Sequence, residues 1–195
     1  MSDDKLILYP TNPFASIDNR NNFLNYLEGI GFIGETFQYF GETHHKPGTK
    51  FYEFIEFLNN WTAIILEDTG QGLEEVRREP NRLHCQIELT KVSSEPEIIA
   101  SVYSLDPKCP FCGYEAKWDF VNEWYYNKAH FRWICPNCTR DALIYDLDWG
   151  GATGFARYFI EIWNIHFDEA VPSERLMKAL MQYSGEVWAW FYYRI

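Results

Sequence analysis

The sequence predicts an α+β fold: a mixed or antiparallel sheet with about four helices, interrupted by an inserted cysteine-bearing module. Three observations carry this. Strand and helix signals follow one another without the regular alternation that marks a parallel βαβ architecture. Residues 82–90 alternate apolar and polar side chains, the pattern of a half-buried strand. Two Cys-Pro-x-Cys sequences bracket one stretch, so that residues 1–105 and 149–195 are expected to form one body and residues 106–148 an insertion.

In chain order, Lys5–Tyr9 (KLILY) reads as a short apolar strand ended by Pro10 and Pro13. Ser16 or Asp18 is placed to cap a helix over residues 19–28, whose apolar Phe23, Leu24, Tyr26 and Leu27 precede the stop signals Gly29 and Gly31. Residues 37–40 read as a strand and 41–49 (GETHHKPGT) as a loop. Phe51, Phe54, Ile55 and Leu58 fall at i, i+3, i+4 and i+7, so residues 50–59 are expected as a helix capped by Thr49. Trp61–Leu66 (WTAIIL) reads as a strand, and 67–81 as a charged connection with a short helix near 73–78.

In 82–90, Leu83, Cys85, Ile87 and Leu89 face one way and His84, Gln86 and Glu88 the other, with Ile98–Leu105 expected as the neighbouring strand. After the insertion, glycine-rich residues 150–154 lead into an expected helix to about Ile165, striped by Phe155, Tyr158, Phe159, Ile162 and Trp163. Pro172 and Ser173 open another helix, with Leu176, Ala179, Leu180 and Tyr183 inward and Gly185 as its stop. Val187–Tyr193 (VWAWFYY) closes the chain as a strand of strong β-formers.

Apolar residues make up 47% of the 195 and aromatics 18%, enough for a substantial core and far from a disordered composition. No apolar run reaches the ~18 residues of a membrane span, and the opening Met-Ser-Asp-Asp-Lys lacks an export signal, so a cytoplasmic protein with no membrane partner is expected. The net charge of −11 disfavours a phosphate backbone as partner and favours a basic protein.

Cys109-Pro110-Phe111-Cys112 and Cys135-Pro136-Asn137-Cys138 are separated by 22 residues. Two thiolates two residues apart reach one ion from a tight turn, and two such turns supply the four tetrahedral ligands of zinc. Proline restricts each turn, and Gly113 allows the positive φ that closes the first. Cys109, Cys112, Cys135 and Cys138 are therefore expected to hold one structural Zn2+, with no open position for catalysis. Residues 114–121 and 128–134 favour β-structure, with a turn at 122–127. This knuckle–arm–knuckle pattern, about 40 residues long, resembles the zinc-ribbon module. The resemblance implies metal binding and says little about function.

Trp118, Trp124, Tyr125, Tyr126, Phe131 and Trp133 in this segment have the chemistry to stack on bases, but its local charge balance of −2 lacks the basic stripe of a nucleic-acid surface. Residues 141–149 (DALIYDLDW) interleave acids with aromatics, and Asp141, Tyr145, Asp146, Asp148 and Trp149 are the candidate residues for seating a basic partner. Glu67, Asp68, Glu74 and Glu75 would extend that surface if the fold brings them near. His44 and His45 beside Glu42 are expected in a solvated loop without a third catalytic partner, and the odd Cys85 as a small buried apolar residue.

Residues 155–165 (FARYFIEIWNI), 169–173 and the tryptophan-rich last strand, together with Lys50–Leu58 and Leu83–Leu89, resemble an uncharacterised family of small bacterial ribbon-containing proteins, which offers no catalytic residues. By analogy, compact acidic proteins of this kind act as immunity proteins of toxin–antitoxin systems. The expected function is thus an acidic, zinc-stabilised binding protein that neutralises a basic toxin, rather than an enzyme. A nucleic-acid-associated ribbon protein is the alternative, and an enzyme using His44, His45 or an acidic cleft is a second alternative.

Overall fold

A computed structural model describes residues 4–58, 85–128 and 130–194. The strand expected at 61–66, the helix near 73–78, residues 82–84 of the alternating strand and the acids at 67, 68, 74 and 75 lie outside the described residues. The fold is α+β. Its centre is a six-stranded sheet in the order β12-β1-β10-β5-β3-β2, and every neighbouring pair in it is antiparallel. These strands are β1 (Lys5–Pro10), β2 (Ile33–Tyr39), β3 (Glu42–Pro47), β5 (Gln86–Leu89), β10 (Ile160–Trp163) and β12 (Trp188–Tyr193).

Register sorts the side chains onto two faces, because successive residues of a strand point to opposite sides. Leu6 lies opposite Ile162 and Tyr192, and Ile162 opposite Ile87; these residues join Phe23, Leu27, Leu176 and Leu180 in the main core. Ile7 points the other way and packs with Ala156, Phe159 and Phe191. Both faces of the central strands are thus covered, and Leu6, Ile7 and Leu8 are all fully buried.

Two long helices cover the main core. Helix α1 (Arg20–Gly29) is capped by Asn19, whose side chain accepts from the backbone N–H groups of Asn21 and Asn22 at 2.8 and 3.2 Å. The cap is therefore Asn19 and neither Ser16 nor Asp18, which agrees with the high cap preference of asparagine. Helix α4 (Glu174–Ser184) starts and stops where the sequence places it. Ser173 Oγ accepts from Leu176 N–H, and Gly185, at φ +72°, donates its N–H to Met181 O.

Several segments depart from their local pattern. Residues 42–47 form β3, not a loop: Phe40 and Gly41 both take positive φ and make a two-residue turn that pairs β2 with β3. The helical stripe at 50–59 is realised only as α2 (Phe51–Phe54), with Lys50 rather than Thr49 at its N-cap. At Ile55 the chain turns extended as β4 (Ile55–Phe57), which pairs with β11 (Ala170–Pro172), and Leu58 is left exposed. The helix expected over 155–165 is instead β9 (Thr153–Ala156) followed by β10. These residues are buried on both sides, so the two-residue period of a strand disappears. The strand near Ile98 is β6 (Glu97–Ala100), and it pairs with β9; β5 lies between β10 and β3.

Residues 106–148 enter and leave through that β6–β9 pair. Ala100 lies opposite Thr153, Ser101 N–H donates to Ala152 O, and Lys108 bridges Asp148 through both backbone groups. No helix among the described residues is long and apolar enough to cross a membrane.

One close approach fixes the chain between β3 and α2. A Cβ on Gly48 would lie 2.6 Å from Gly31 C and 2.7 Å from Ile33 O, backbone atoms that cannot rotate away. Gly48→Ala is expected to cost about 3 kcal/mol or more. Gly29→Ala, with nothing within 4 Å of its new Cβ, is expected to be neutral or slightly stabilising. Urea unfolding of the two variants checks this, and equal midpoints would contradict it.

Candidate metal centre

The two knuckles are built alike. In the first, Gly113 N–H donates to Cys109 O, and Cys109 N–H to Tyr114 O; in the second, Thr139 N–H donates to Cys135 O, and Cys135 N–H to Arg140 O. Each turn closes on a residue with positive φ, Gly113 at +71° and Thr139 at +59°. Thr139 fills this position at a conformational cost that glycine avoids.

These turns bring the four sulfurs within 4.8 Å of one another, close enough to hold one metal ion. Cys109 Sγ lies 3.8 Å from Cys138 Sγ, and Cys112 Sγ 3.6 Å from Cys135 Sγ. A tetrahedral ion with metal–sulfur bonds of ~2.3 Å requires sulfur–sulfur edges of about 3.8 Å, so the residues fit the group. Disulfides would need about 2.05 Å. Cys109 and Cys135 are buried, Cys138 is half-buried and Cys112 is exposed.

The protein orients and charges these ligands. Asn137 Nδ2 donates to Cys112 Sγ at 3.5 Å, and with the Tyr114 N–H it pulls the Cys112 thiol down to about 6. Cys138 accepts from the Arg140 N–H, yet partial burial and its neighbouring sulfurs push it up to about 11. A metal ion takes cysteine as the thiolate, and a bound dication stabilises four such charges held close together.

A small core lies beneath the ion site. Trp124, Trp133, Ala142, Ile144, Leu147, Trp149 and Phe155 are its buried members. Helix α3 (Asp119–Tyr126) crosses the stretch where a two-stranded arm was expected. Phe120, Val121 and Trp124 turn inward from it, with Trp124 at 0% exposure and Tyr126 at 88%. Aromatic β-formers concealed a helical phase. Among the described residues of the expected arm, Glu115 makes a single bridge to Lys108, and β7 (Trp133–Ile134) pairs with β8 (Asp141–Ala142) beyond the second knuckle.

Of the six aromatics with the chemistry to stack on bases, Tyr125 and Tyr126 are exposed and Trp118 and Phe131 half-buried. Trp124 and Trp133 are core residues; Lys128 is paired with Glu97 at 2.8 Å, and Arg132 with Asp141 at 3.5 Å.

The five candidate partner residues separate. Asp141 lies on β8 in its pair with Arg132, and Asp146 is exposed at the end of a 3-10 turn, Ile144–Asp146. Trp149 is buried, its indole N–H bonded to Ile144 O at 2.8 Å, so it braces the segment from within. Tyr145 and Asp148 meet one side of Trp149 around a cavity of about 220 Å³, whose other walls include Tyr9 and Phe155. Tyr9 carried no sequence signal for this site because more than 130 residues separate it from Tyr145.

His44 and His45 are buried on β3, pointing to opposite faces. His45 Nδ1 lies 3.3 Å from Gly34 O. His44 belongs to a polar cluster on the sheet face opposite the main core: its Nε2 is 3.5 Å from Glu88, and Glu88 lies opposite Glu161, which pairs with Lys5 at 2.8 Å. Lys5 Nζ sits 3.3 Å from the centre of the Trp163 ring. Glu42 instead pairs with Lys91 in solvent. Cys85 is half-exposed as a residue, though burial of its thiol pushes it up to about 12, an inert sulfur.

Comparison with known proteins finds no family model, no curated protein and no solved structure that matches the chain.

Removing the ion with a chelator at pH 7 is expected to red-shift tryptophan emission, as Trp124, Trp133 and Trp149 gain water, and to lower the melting temperature. Cys135→Ser should weaken metal binding at least tenfold; unchanged emission and melting would contradict a structural role.

Burial holds both imidazoles below their usual value, His44 also through Lys5. The unfolded chain then binds more protons at these positions. Their stabilising contribution is complete above ~6.5 and is lost as pH falls toward the folded values. Glu88, raised by burial and by Glu161, has the opposite sign: its contribution is complete below ~4.3 and is lost as pH rises through its folded value. Urea unfolding between pH 7.5 and 5.5 should show falling stability that His44→Gln with His45→Gln flattens. An unaltered slope in the double variant would contradict this.

Proposed function

We propose that the protein is a zinc-braced acidic binding protein of the immunity type, which neutralises a basic bacterial toxin in the cytoplasm by direct contact. Zinc is the ion that suits the centre: four thiolates at tetrahedral spacing from two Cys-Pro-x-Cys knuckles favour it over the oxygen-seeking cations. With four sulfurs bound, no coordination position remains for water, and the ion acts as a brace. A brace of this kind is worth on the order of 10 kcal/mol of binding free energy in small zinc modules.

The observation that carries the reading is the uncompensated acidic surface beside an aromatic cavity. Asp146 and Asp148 are exposed and form no salt bridge among the described residues, and a chain of net charge −11 draws a basic partner by long-range attraction. Such attraction speeds encounter, while buried aromatic contacts supply most of the affinity.

The test uses the full chain and the basic protein encoded beside it. A stable one-to-one complex is expected, with an association rate that falls at least tenfold between 50 and 500 mM salt. Co-expression should restore growth of cells producing that protein. No complex together with no rescue would overturn the reading.

A further inference from the structure

The cavity is lined by the aromatic side chains of Tyr9, Tyr145, Trp149 and Phe155, by smaller residues including Thr11, Pro13 and Gly151, and by one carboxylate, Asp148. Aromatic ring faces are electron-rich and attract a cation within about 6 Å. Asp148 Oδ1 accepts from the Gly150 N–H at 3.0 Å, which fixes the group at the cavity edge; its Oδ2 has no hydrogen-bond partner among the described residues. Two of the rings' polar atoms are already engaged: Trp149 N–H donates to Ile144 O, and Tyr9 O–H to Thr153 O at 3.4 Å. An occupant is therefore asked chiefly for positive charge and a flat apolar surface.

At about 220 Å³ the cavity lies below the ~300 Å³ at which drug-sized ligands are held, and it suits a single side chain. Beyond its wall stands Phe14, 52% exposed and edge-on to Tyr145 with ring centroids 5.4 Å apart. An exposed aromatic ring there offers contact to a surface larger than the cavity's own occupant.

We propose that this cavity seats one arginine side chain of a protein partner, its guanidinium lying against the aromatic rings and donating to Asp148. Arginine is favoured over lysine because a planar guanidinium stacks on rings and presents paired donors to a carboxylate, whereas an ammonium is a compact, strongly hydrated point charge. A nucleic-acid phosphate is disfavoured by Asp148 and by the charge of −11. The inference rests on the binding-protein reading and specifies its contact.

The experiment titrates N-acetyl-arginine amide into the zinc-loaded full chain, following the Trp149 indole N–H and the Gly150 and Gly151 amides by NMR. Saturable millimolar binding is expected, at least tenfold weaker for the citrulline, lysine and tetramethylammonium analogues. Asp148→Asn should lose at least tenfold in affinity. Asp18→Asn, which removes the same charge from an exposed position outside the cavity, should match the unaltered chain. No saturable shift, equal binding of lysine or tetramethylammonium, or equal losses in the two variants would each overturn the proposal. The outcomes separate the two readings. A partner complex indifferent to Asp148→Asn overturns the arginine seat and leaves the binding function standing; arginine binding without any protein partner overturns the function.

Discussion

Four cysteine sulfurs brought within 4.8 Å of one another are the constraint on which the shape of residues 106–148 depends. The segment is short, and its core gathers Trp124, Trp133 and Trp149 with a few aliphatic side chains and Phe155. Its regular backbone pairing amounts to the two-residue β7–β8 ladder and the bridges at Lys108. Conformational entropy of ~1–2 kcal/mol per residue opposes such a segment, and so small a core cannot offset it alone. A metal ion held by the four sulfurs would tie the two knuckles together across 22 residues, beside the core in which α3 and Trp149 pack.

The cysteine-bearing segment also supplies part of the cavity wall. Trp149 belongs to the metal segment's core, while Tyr9, across the cavity, belongs to the central sheet. Phe155 sits on β9, the strand by which the segment rejoins the sheet, and packs edge-on or tilted against Trp124, Tyr145 and Trp149. A set of packed rings thus links the cysteine-bearing segment to the cavity. The polar cluster of Lys5, Glu161, Glu88 and His44 is a separate feature of the sheet, with opposed carboxylates held together by one lysine.

Legibility in the sequence followed how local the determinant was. The knuckles and helix α4 could be read because each is specified within a few residues, by Cys-Pro-x-Cys or by Ser173 and Gly185. Strand β10 could not, because burial on both faces removes the alternation that distinguishes a strand from a helix. Strand β3 was hidden because its buried positions are His44 and His45, residues that read as polar. Helix α3 was hidden because Phe120, Val121 and Trp124 count locally as β-formers, while their packing on the core beside the cysteines decides the outcome. Of the candidate contact residues, Tyr145 and Asp148 were placed at a cavity, but its other walls come from strands distant in sequence and no local pattern announced them.

The four cysteine sulfurs are close enough to hold one metal ion, and an ion held by sulfur alone would leave no coordination position open to water. X-ray absorption at the metal edge of the purified chain tests this most directly. The account predicts zinc in a shell of four sulfur scatterers at ~2.3 Å with no nitrogen or oxygen. A shell containing a light-atom ligand, or sulfurs joined as disulfides without metal, would contradict it.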